Sequence, residues 1–167
     1  MDATELRALQ APLKQRYRDT PDAARVIARA EAVLAPSAVA CTIPAWHHSV
    51  TAGLHPATGG DGTLACSADM LLEALVACAG VTLRAVATAM GITLRGGKVI
   101  AEGVWDARGT LGIDRTVPVG LTEVALRFEI DADIDDAKRA RLVETTERYC
   151  VIYQTLKTPP RLSVAAA

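Results

Sequence analysis

Aromatic residues are scarce in this chain: one Phe, three Tyr and two Trp make up 4% of its 167 residues, although half of all residues are hydrophobic. A core with few aromatic side chains has to be filled by Ala, Val and Leu, which suits helices packed closely against a sheet. A chain of this length can bury one substantial core but is short for two domains. We therefore expect a single main domain that contains both helices and sheet.

The chain also lacks an excess of charge of either sign. Its 18 Lys and Arg nearly balance its 19 Asp and Glu, which gives a formal net charge of −1, and the basic residues are scattered along the sequence. Binding of a polyanion requires clustered positive charge. We therefore expect no nucleic acid among the partners of this protein.

A secretion signal is missing from the first residues, because Met-Asp-Ala-Thr-Glu-Leu-Arg contains no basic head followed by an apolar segment. We expect a cytoplasmic protein, and in that reducing compartment its cysteines should be thiols rather than disulfides. No Cys-x-x-Cys or His-x-Cys spacing occurs, so we expect no zinc or other metal site. The four thiols belong to Cys41, Cys66, Cys78 and Cys150.

One long apolar run is present, from Met70 to Met90. It is long enough to cross a bilayer, but Glu73 and Arg84 lie inside it and polar segments flank it, which argues against a membrane partner. We expect a helix that begins with Ser67 as its N-cap, carries Asp69 in its first turn, and ends at Gly91 or at the later Gly-Gly pair.

The remaining pattern predicts strands and a second helix. Residues 1–23 form an accessory arm, helical over residues 5–18 and interrupted at Pro12. Period-two alternation predicts a strand over residues 24–34, followed by two strands that complete an antiparallel meander through a Trp46-His47-His48 connection. After the long helix, two more strands precede a helix capped by Asp135 and a last short strand. The two further strands of the meander are residues 38–44 and 49–54. The two later strands are residues 98–107 and 122–130, the second helix is residues 135–150, and the last short strand is residues 161–165.

Two cysteines occupy positions suited to redox chemistry. Cys78 lies in the long apolar helix and Cys150 lies at the end of the second helix. A thiolate that attacks a peroxide becomes a sulfenic acid and needs a second thiol nearby before it is oxidised further. From composition alone, an inert core cysteine remains the competing interpretation of each residue, since free cysteine is commonly buried.

Several sequence segments together resemble the OsmC and Ohr family of thiol-dependent peroxidases. The segments are a Gly-Gly-x-Gly turn, Ser-Ala-Asp-Met-Leu-Leu-Glu-Ala-Leu-Val-Ala-Cys at 67–78, Thr-Leu-Arg-Ala-Val-Ala from residue 82, Glu-Arg-Tyr-Cys at 147–150, and Thr-Leu-Lys-Thr-Pro-Pro-Arg-Leu-Ser-Val from residue 155. The similarity covers roughly residues 24–167. The residues around the two cysteines, taken together with the separation of these cysteines along the chain, make the similarity specific.

The resemblance implies an α+β fold in which two long helices pack against strongly curved antiparallel sheets, within an intertwined homodimer that has active sites at its interface. It implies reduction of organic hydroperoxides to alcohols, with Cys78 as the attacking thiolate and Cys150 as the resolving thiol that forms the Cys78–Cys150 disulfide. No prosthetic group is implied. The reductant would be an external dithiol, which in this family is a small thiol or a lipoyl group on a partner protein.

The sequence departs from the family pattern around the attacking thiol. Family peroxidases place an arginine and a glutamate beside this thiol, but the position ten residues before Cys78 is Ala68. Asp69 is the nearest carboxylate, and a residue in the first turn can equally serve the helix dipole. Glu73 lies about 140° around the helix from Cys78. Arg29 is the best available arginine, because a thiolate in mid-helix needs a cationic partner.

The last expectations concern the other cysteines, the histidines and a competing function. Cys41 and Cys66 match no catalytic position, and His47, His48 and His55 are expected to be loop or surface residues. The competing function is a non-catalytic homodimer that binds a small hydrophobic ligand in its interface cleft, with the cysteines as core residues. The absent arginine and the altered glutamate favour this alternative, whereas the two retained thiols favour the peroxidase.

Overall fold

A computed structural model describes residues 1–45 and 48–166 of this chain, so the predicted Trp46-His47 part of one connection lies outside the described residues. Helices alternate with two small antiparallel sheets, and the mixed α+β fold class expected from the sequence is confirmed. The helices are α1 (Ala3–Asp19), α2 (Ser67–Ala89), α3 (Ala107–Thr110), α4 (Asp136–Tyr149) and α5 (Val151–Lys157). The strands are β1 (Val33–Leu34), β2 (Ala40–Pro44), β3 (Ser49–Gly53), β4 (Gly96–Val104) and β5 (Glu123–Asp131).

Residue contacts divide the chain into two units. The first unit comprises Met1–Pro21, Ala74–Ile100 and Leu126–Ala167, and the second comprises Asp22–Glu73 and Ala101–Ala125. The separation of an accessory arm at residues 1–23 from a domain at residues 24–167 stays a prediction.

The core of the first unit lies between α2 and α4. Leu83, Val86 and Ala87 of α2 pack with Leu142 of α4, and partly buried apolar side chains of the neighbouring strands surround them. The buried residues of α2 recur at three- and four-residue intervals, which is the spacing of one helix face. Asp135 caps α4 as predicted, since its Oδ1 accepts from the Lys138 N–H at 2.7 Å.

The second unit is built on the antiparallel meander β1-β2-β3. The prediction of a strand over residues 24–34 is wrong for most of its length, because only Val33 and Leu34 pair with β2. The register matches Val33 with Thr42, so Ala32 would face Ile43 and Glu31 would face Pro44. Pairing of β1 ends at Thr42, two residues before the proline, which has no N–H to donate to a longer ladder.

Three other predictions about local structure also need correction. The arm does not break at Pro12, since α1 runs through it and is anchored by a capping box between Asp2 and Glu5. Ser67 is the first helical residue of α2 rather than its cap. Residues 161–165 form no strand, whereas the unpredicted α5 occupies Val151–Lys157 just before Pro159 and Pro160.

Helix α2 would be long and apolar enough to cross a membrane by length and composition alone. Core helices of soluble proteins pass the same test, so this feature decides nothing by itself. Gly91 ends the helical region at φ 69°, and the Ile92 N–H donates to the Ala87 carbonyl at 2.8 Å. This left-handed residue confirms Gly91 as the terminator.

Candidate active site

Cys78 and Cys150 both belong to the first unit, and their thiols lie close enough that each one shifts the pKa of the other. Cys78 lies in the middle of α2 and is half-buried. Cys150 is almost completely buried, with 1% of its surface exposed. Disulfide formation requires two thiols that are close neighbours in this way.

Cys150 is the single residue between α4 and α5. Its backbone is extended, with φ −75° and ψ 109°, and it ends one helix while starting the next. The Cys150 N–H donates to the Thr146 carbonyl at 2.9 Å, and its own carbonyl accepts from the Gln154 N–H at 3.0 Å. Its side chain makes no capping hydrogen bond, so the N–H groups of Val151 and Ile152 in the first turn of α5 are free for another acceptor.

Glu147 links α5 back to α4 across this break. The Gln154 amide donates to the Glu147 carbonyl at 2.8 Å, and the Tyr153 hydroxyl donates to Glu147 Oε2 at 3.3 Å. Burial, together with the negative charge of Glu147 and its hydrogen bond, raises the pKa of Tyr153, which therefore keeps its proton as a donor. These contacts fix the direction in which the first turn of α5 presents its N–H groups.

The sulfur of Cys78 accepts those N–H groups. Burial raises the pKa of Cys78, but hydrogen bonds from the Ile152 N–H, the Cys150 thiol, the Val151 N–H and the Thr82 hydroxyl outweigh it. The pKa of Cys78 consequently lies below its ordinary value. Donors that favour the charged form stabilise a thiolate without a neighbouring positive charge.

The pKa of Cys150 moves in the opposite direction. Burial is the largest cause, and donation of the thiol proton to Cys78 together with the repulsion between two negative sulfurs also raises the pKa of Cys150. N–H groups of Tyr153 and Ile152 offset only part of this effect. Cys78 therefore loses its proton more readily than Cys150 does.

Thr82 is a site residue that sequence reasoning missed, although the signal was present. It lies four residues after Cys78, on the same face of α2. Other helix threonines donate to the carbonyl four residues earlier, whereas the Thr82 hydroxyl donates to Cys78. The threonines with backbone partners are Thr88, Thr145, Thr146 and Thr155.

The three supporting residues expected from sequence lie in the second unit. Asp69 and Glu73 are exposed in the first two turns of α2, and Arg29 is exposed in the irregular segment before β1. The described groups that chiefly set the pKa of Cys78 are neutral donors, and no arginine or carboxylate is among them. The roles of Asp69, Glu73 and Arg29 stay predictions.

The remaining thiols and histidines lie elsewhere. Cys41 is half-buried on β2, Cys66 is half-buried directly before α2, and His48 is exposed. His55 caps a short turn by accepting the Ala57 N–H at 3.0 Å, while the expectation for His47 falls outside the described residues. Within residues 1–45 and 48–166, no three His, Cys, Asp or Glu side chains form a group that could hold a metal ion.

The fold is of the α+β class, and the site is a pair of neighbouring thiols. The sequence profile described as OsmC-like protein matches residues 60–165, which include both cysteines. The chain belongs to the OsmC family, and the resemblance seen in the sequence is confirmed. No match was found among curated protein sequences.

Solved structures of OsmC proteins share the fold. An OsmC-like protein from Mycoplasma pneumoniae is 21% identical, with 80% of this chain and 89% of that chain covered at a TM-score of 0.67. An organic hydroperoxide resistance protein OsmC from Legionella pneumophila is 16% identical, with 80% and 93% covered at 0.63. A putative organic hydroperoxide resistance protein from Vibrio cholerae, with captopril bound in one of its active sites, is 16% identical, with 81% and 89% covered at 0.57.

Proposed function

We propose that this protein is a thiol peroxidase that reduces organic hydroperoxides to alcohols through Cys78 and Cys150. The observation that carries the proposal is the hydrogen-bonded thiol pair, in which the pKa of Cys78 is lowered and the pKa of Cys150 is raised. The names of the Legionella and Vibrio proteins, which refer to organic hydroperoxide resistance, support the same substrate class.

In the first step, the Cys78 thiolate attacks one oxygen of the O–O bond. The bond breaks, the distal oxygen stays on sulfur as a sulfenic acid, and the alkoxide leaves as the alcohol after it takes a proton. Hydrogen bonds from Val151, Ile152 and Thr82 lower the pKa of Cys78 and so favour its ionised form before the attack. Thiol nucleophilicity depends on this ionised fraction.

In the second step, Cys150 attacks the Cys78 sulfenic acid. A Cys78–Cys150 disulfide forms as the sulfenic S–O bond breaks, and the sulfenic OH leaves as water with the Cys150 proton. The mutual effect of the two thiols on their pKa values supports this step, because it shows that the resolving sulfur is a neighbour of its partner. An external dithiol then reduces the disulfide and is itself oxidised to a disulfide.

The cycle requires no prosthetic group, and the external dithiol is a small thiol or a lipoyl group on a partner protein. A cytoplasmic location would supply such reducing partners. Asp69, Glu73 and Arg29 are proposed to support the site from a second copy of the chain, in the intertwined homodimer typical of the family.

Exposed apolar surface supports the homodimer. Val81 of α2 is 73% exposed, and Val26 and Ile27 of the segment before β1 are 85% and 80% exposed. Large apolar side chains that remain exposed to water in either unit are candidates for an interaction surface. A second copy of the chain would cover them.

The proposal is tested by counting free thiols before and after one equivalent of cumene hydroperoxide. The expected result is the loss of two thiols per chain and a Cys78–Cys150 disulfide in the peptide mass spectrum. Cys78→Ser should abolish peroxide consumption, whereas the control Cys41→Ser should leave it unchanged. If Cys78→Ser consumes peroxide as fast as the unmodified protein, the alternative of a non-catalytic, ligand-binding homodimer replaces the peroxidase.

A further inference from the structure

A second site, separate from the two thiols, is present in the second unit. It is a cavity of about 430 Å³ between the end of β3, the start of α2 and the segments that precede and follow α3. This volume falls within the range of small-molecule sites, about 300 to 1,000 Å³. Neither Cys78 nor Cys150 lines the cavity, and every lining residue belongs to the second unit.

The described residues of the lining include no Asp, Glu, Lys or Arg. Its walls include Leu54, Leu71, Trp105 and Leu121, and its polar side chains belong to His, Thr, Ser and Cys. An ionised ligand group would lose hydration without gaining an opposite charge in such a site. The cavity therefore selects a neutral and mainly apolar ligand.

His55 gives the cavity one oriented donor. Its Nδ1 accepts the Ala57 N–H at 3.0 Å, so the proton of the neutral ring lies on Nε2. The ring packs edge-on against Trp105, with centroids 5.3 Å apart, which holds it in place. Within the described residues the Nε2–H has no acceptor, so a ligand can supply one.

We propose that this cavity binds a neutral, mainly apolar small molecule that carries one hydrogen-bond acceptor. Binding needs neither of the thiols at Cys78 and Cys150. The site is thus distinct from the peroxidase chemistry, and the two proposals can fail independently.

Gly120 offers a way to fill the cavity without disturbing the fold. It lines the cavity, its φ is not left-handed, and a Cβ added there would meet no atom within 4 Å. Gly96 is the matched control, because it has the same open surroundings and does not line the cavity. Ala68→Leu provides a second filling variant from the α2 side of the cavity.

The probe is prodan, a neutral naphthalene with one ketone, whose fluorescence shifts to the blue in apolar surroundings. We expect saturable binding of one prodan per chain, with energy transfer from Trp105 in a Trp46→Phe background. Gly120→Leu and Ala68→Leu should weaken binding at least about tenfold, equivalent to about 1.4 kcal/mol, and Gly96→Leu should not. His55→Asn should weaken it about two- to tenfold, as expected for one hydrogen bond.

Three outcomes would overturn the proposal. The first is unchanged prodan affinity in both filling variants while Gly96→Leu behaves like the unmodified protein. The second is binding of the anion 8-anilinonaphthalene-1-sulfonate, in the same cavity, as tight as that of prodan. The third is prodan binding that disappears as the chain dimerises, which would mean that a second copy fills the cavity. Cys78→Ser should bind prodan normally, so loss of peroxidase activity leaves this test intact.

Discussion

Cys78 and Cys150 shift each other's pKa in opposite directions, so that the pKa of Cys78 is lowered and the pKa of Cys150 is raised although the two side chains are chemically identical. The residues after Cys150 supply the N–H groups that lower the pKa of Cys78. The proposed resolving residue therefore lies in the same turn as the groups that activate the proposed attacking residue. Any change that moves α5 should affect both steps together.

Replacing the buried thiol should separate the two steps of the cycle. Cys150→Ser keeps Cys78 as the attacking group but removes the sulfur that forms the disulfide. We expect one equivalent of hydroperoxide to be consumed, after which turnover stops and Cys78 gains two or three oxygen atoms, as measured by peptide mass spectrometry. Continued turnover with a dithiol would show that another thiol resolves the sulfenic acid. Cys66→Ser should cycle normally as the control.

The Thr82 hydroxyl should affect the pH dependence of Cys78. Because the folded-state pKa of Cys78 is lowered, its thiolate stabilises the fold at pH values above the unfolded pKa, and this is lost as the pH falls through the folded pKa. Thr82→Val removes one donor, so half-maximal alkylation of Cys78 by iodoacetamide should move to higher pH. Hydroperoxide consumption at pH 7 should fall about two- to tenfold.

The matched control is Thr88→Val on the same helix. The Thr88 hydroxyl donates to the Arg84 carbonyl at 2.9 Å and is not among the groups that set the pKa of Cys78. Its replacement should leave the alkylation profile of Cys78 unchanged, as read from the labelled peptide. An equal shift in both variants would point to a general loosening of α2 rather than to loss of the Thr82 donor.

Much of the fold follows from local patterns that were readable in the sequence. The apolar run before Gly91, the cap at Asp135 and the alternation of β2 and β3 each depend on residues close in the chain. The segment before Val33 shows the limit of this reading. Its alternation is typical of a strand, but strand formation also needs a partner, and the pairing of β1 on β2 ends at Val33 and Thr42.

The sequence predicted the two cysteines of the site but not the groups that lower the pKa of Cys78. The family motif identified Cys78 and Cys150, but it directed the search for activation toward charged residues such as Arg29. Two of the donors that lower the pKa of Cys78 are the backbone N–H groups of Ile152 and Val151, which have no side-chain signature in a sequence. They could be placed only once the extended conformation of Cys150 was known.

The charged residues in the second unit should tune the proposed reaction rather than enable it. Asp69→Ala, Glu73→Ala and Arg29→Ala should each lower the rate of hydroperoxide consumption while leaving the first oxidation of Cys78 intact, since these groups can only orient or polarise the site. Stopped-flow measurement of thiol loss checks this. Complete loss of the first oxidation in Arg29→Ala would make the guanidinium essential and the neutral donors insufficient.

A charge on the exposed face of α2 should prevent self-association. Val81 is 73% exposed, and glutamate there would have to be buried without a partner if a second copy covered this face. Light scattering should give a dimer for the unmodified protein and for the control Val164→Glu, which changes a residue 98% exposed. Val81→Glu should give a monomer with unchanged helical content. A dimer in Val81→Glu would place the interface elsewhere.

Leu142 should be essential for the stability of the first unit. Because it lies on the helix that ends at Cys150, it should also hold Cys150 in position. It is fully buried among residues of α2, on the helix that ends at Cys150. Leu142→Ala should lower the free energy of unfolding by about 2 to 5 kcal/mol, because the lost apolar contacts leave a cavity. The control Leu162→Ala truncates a side chain that is 89% exposed and should change it by less than about 0.5 kcal/mol. Urea unfolding followed by circular dichroism measures the free energy of unfolding of both variants. Equal effects would mean that the packing between α2 and α4 is not the core that holds the thiol pair together.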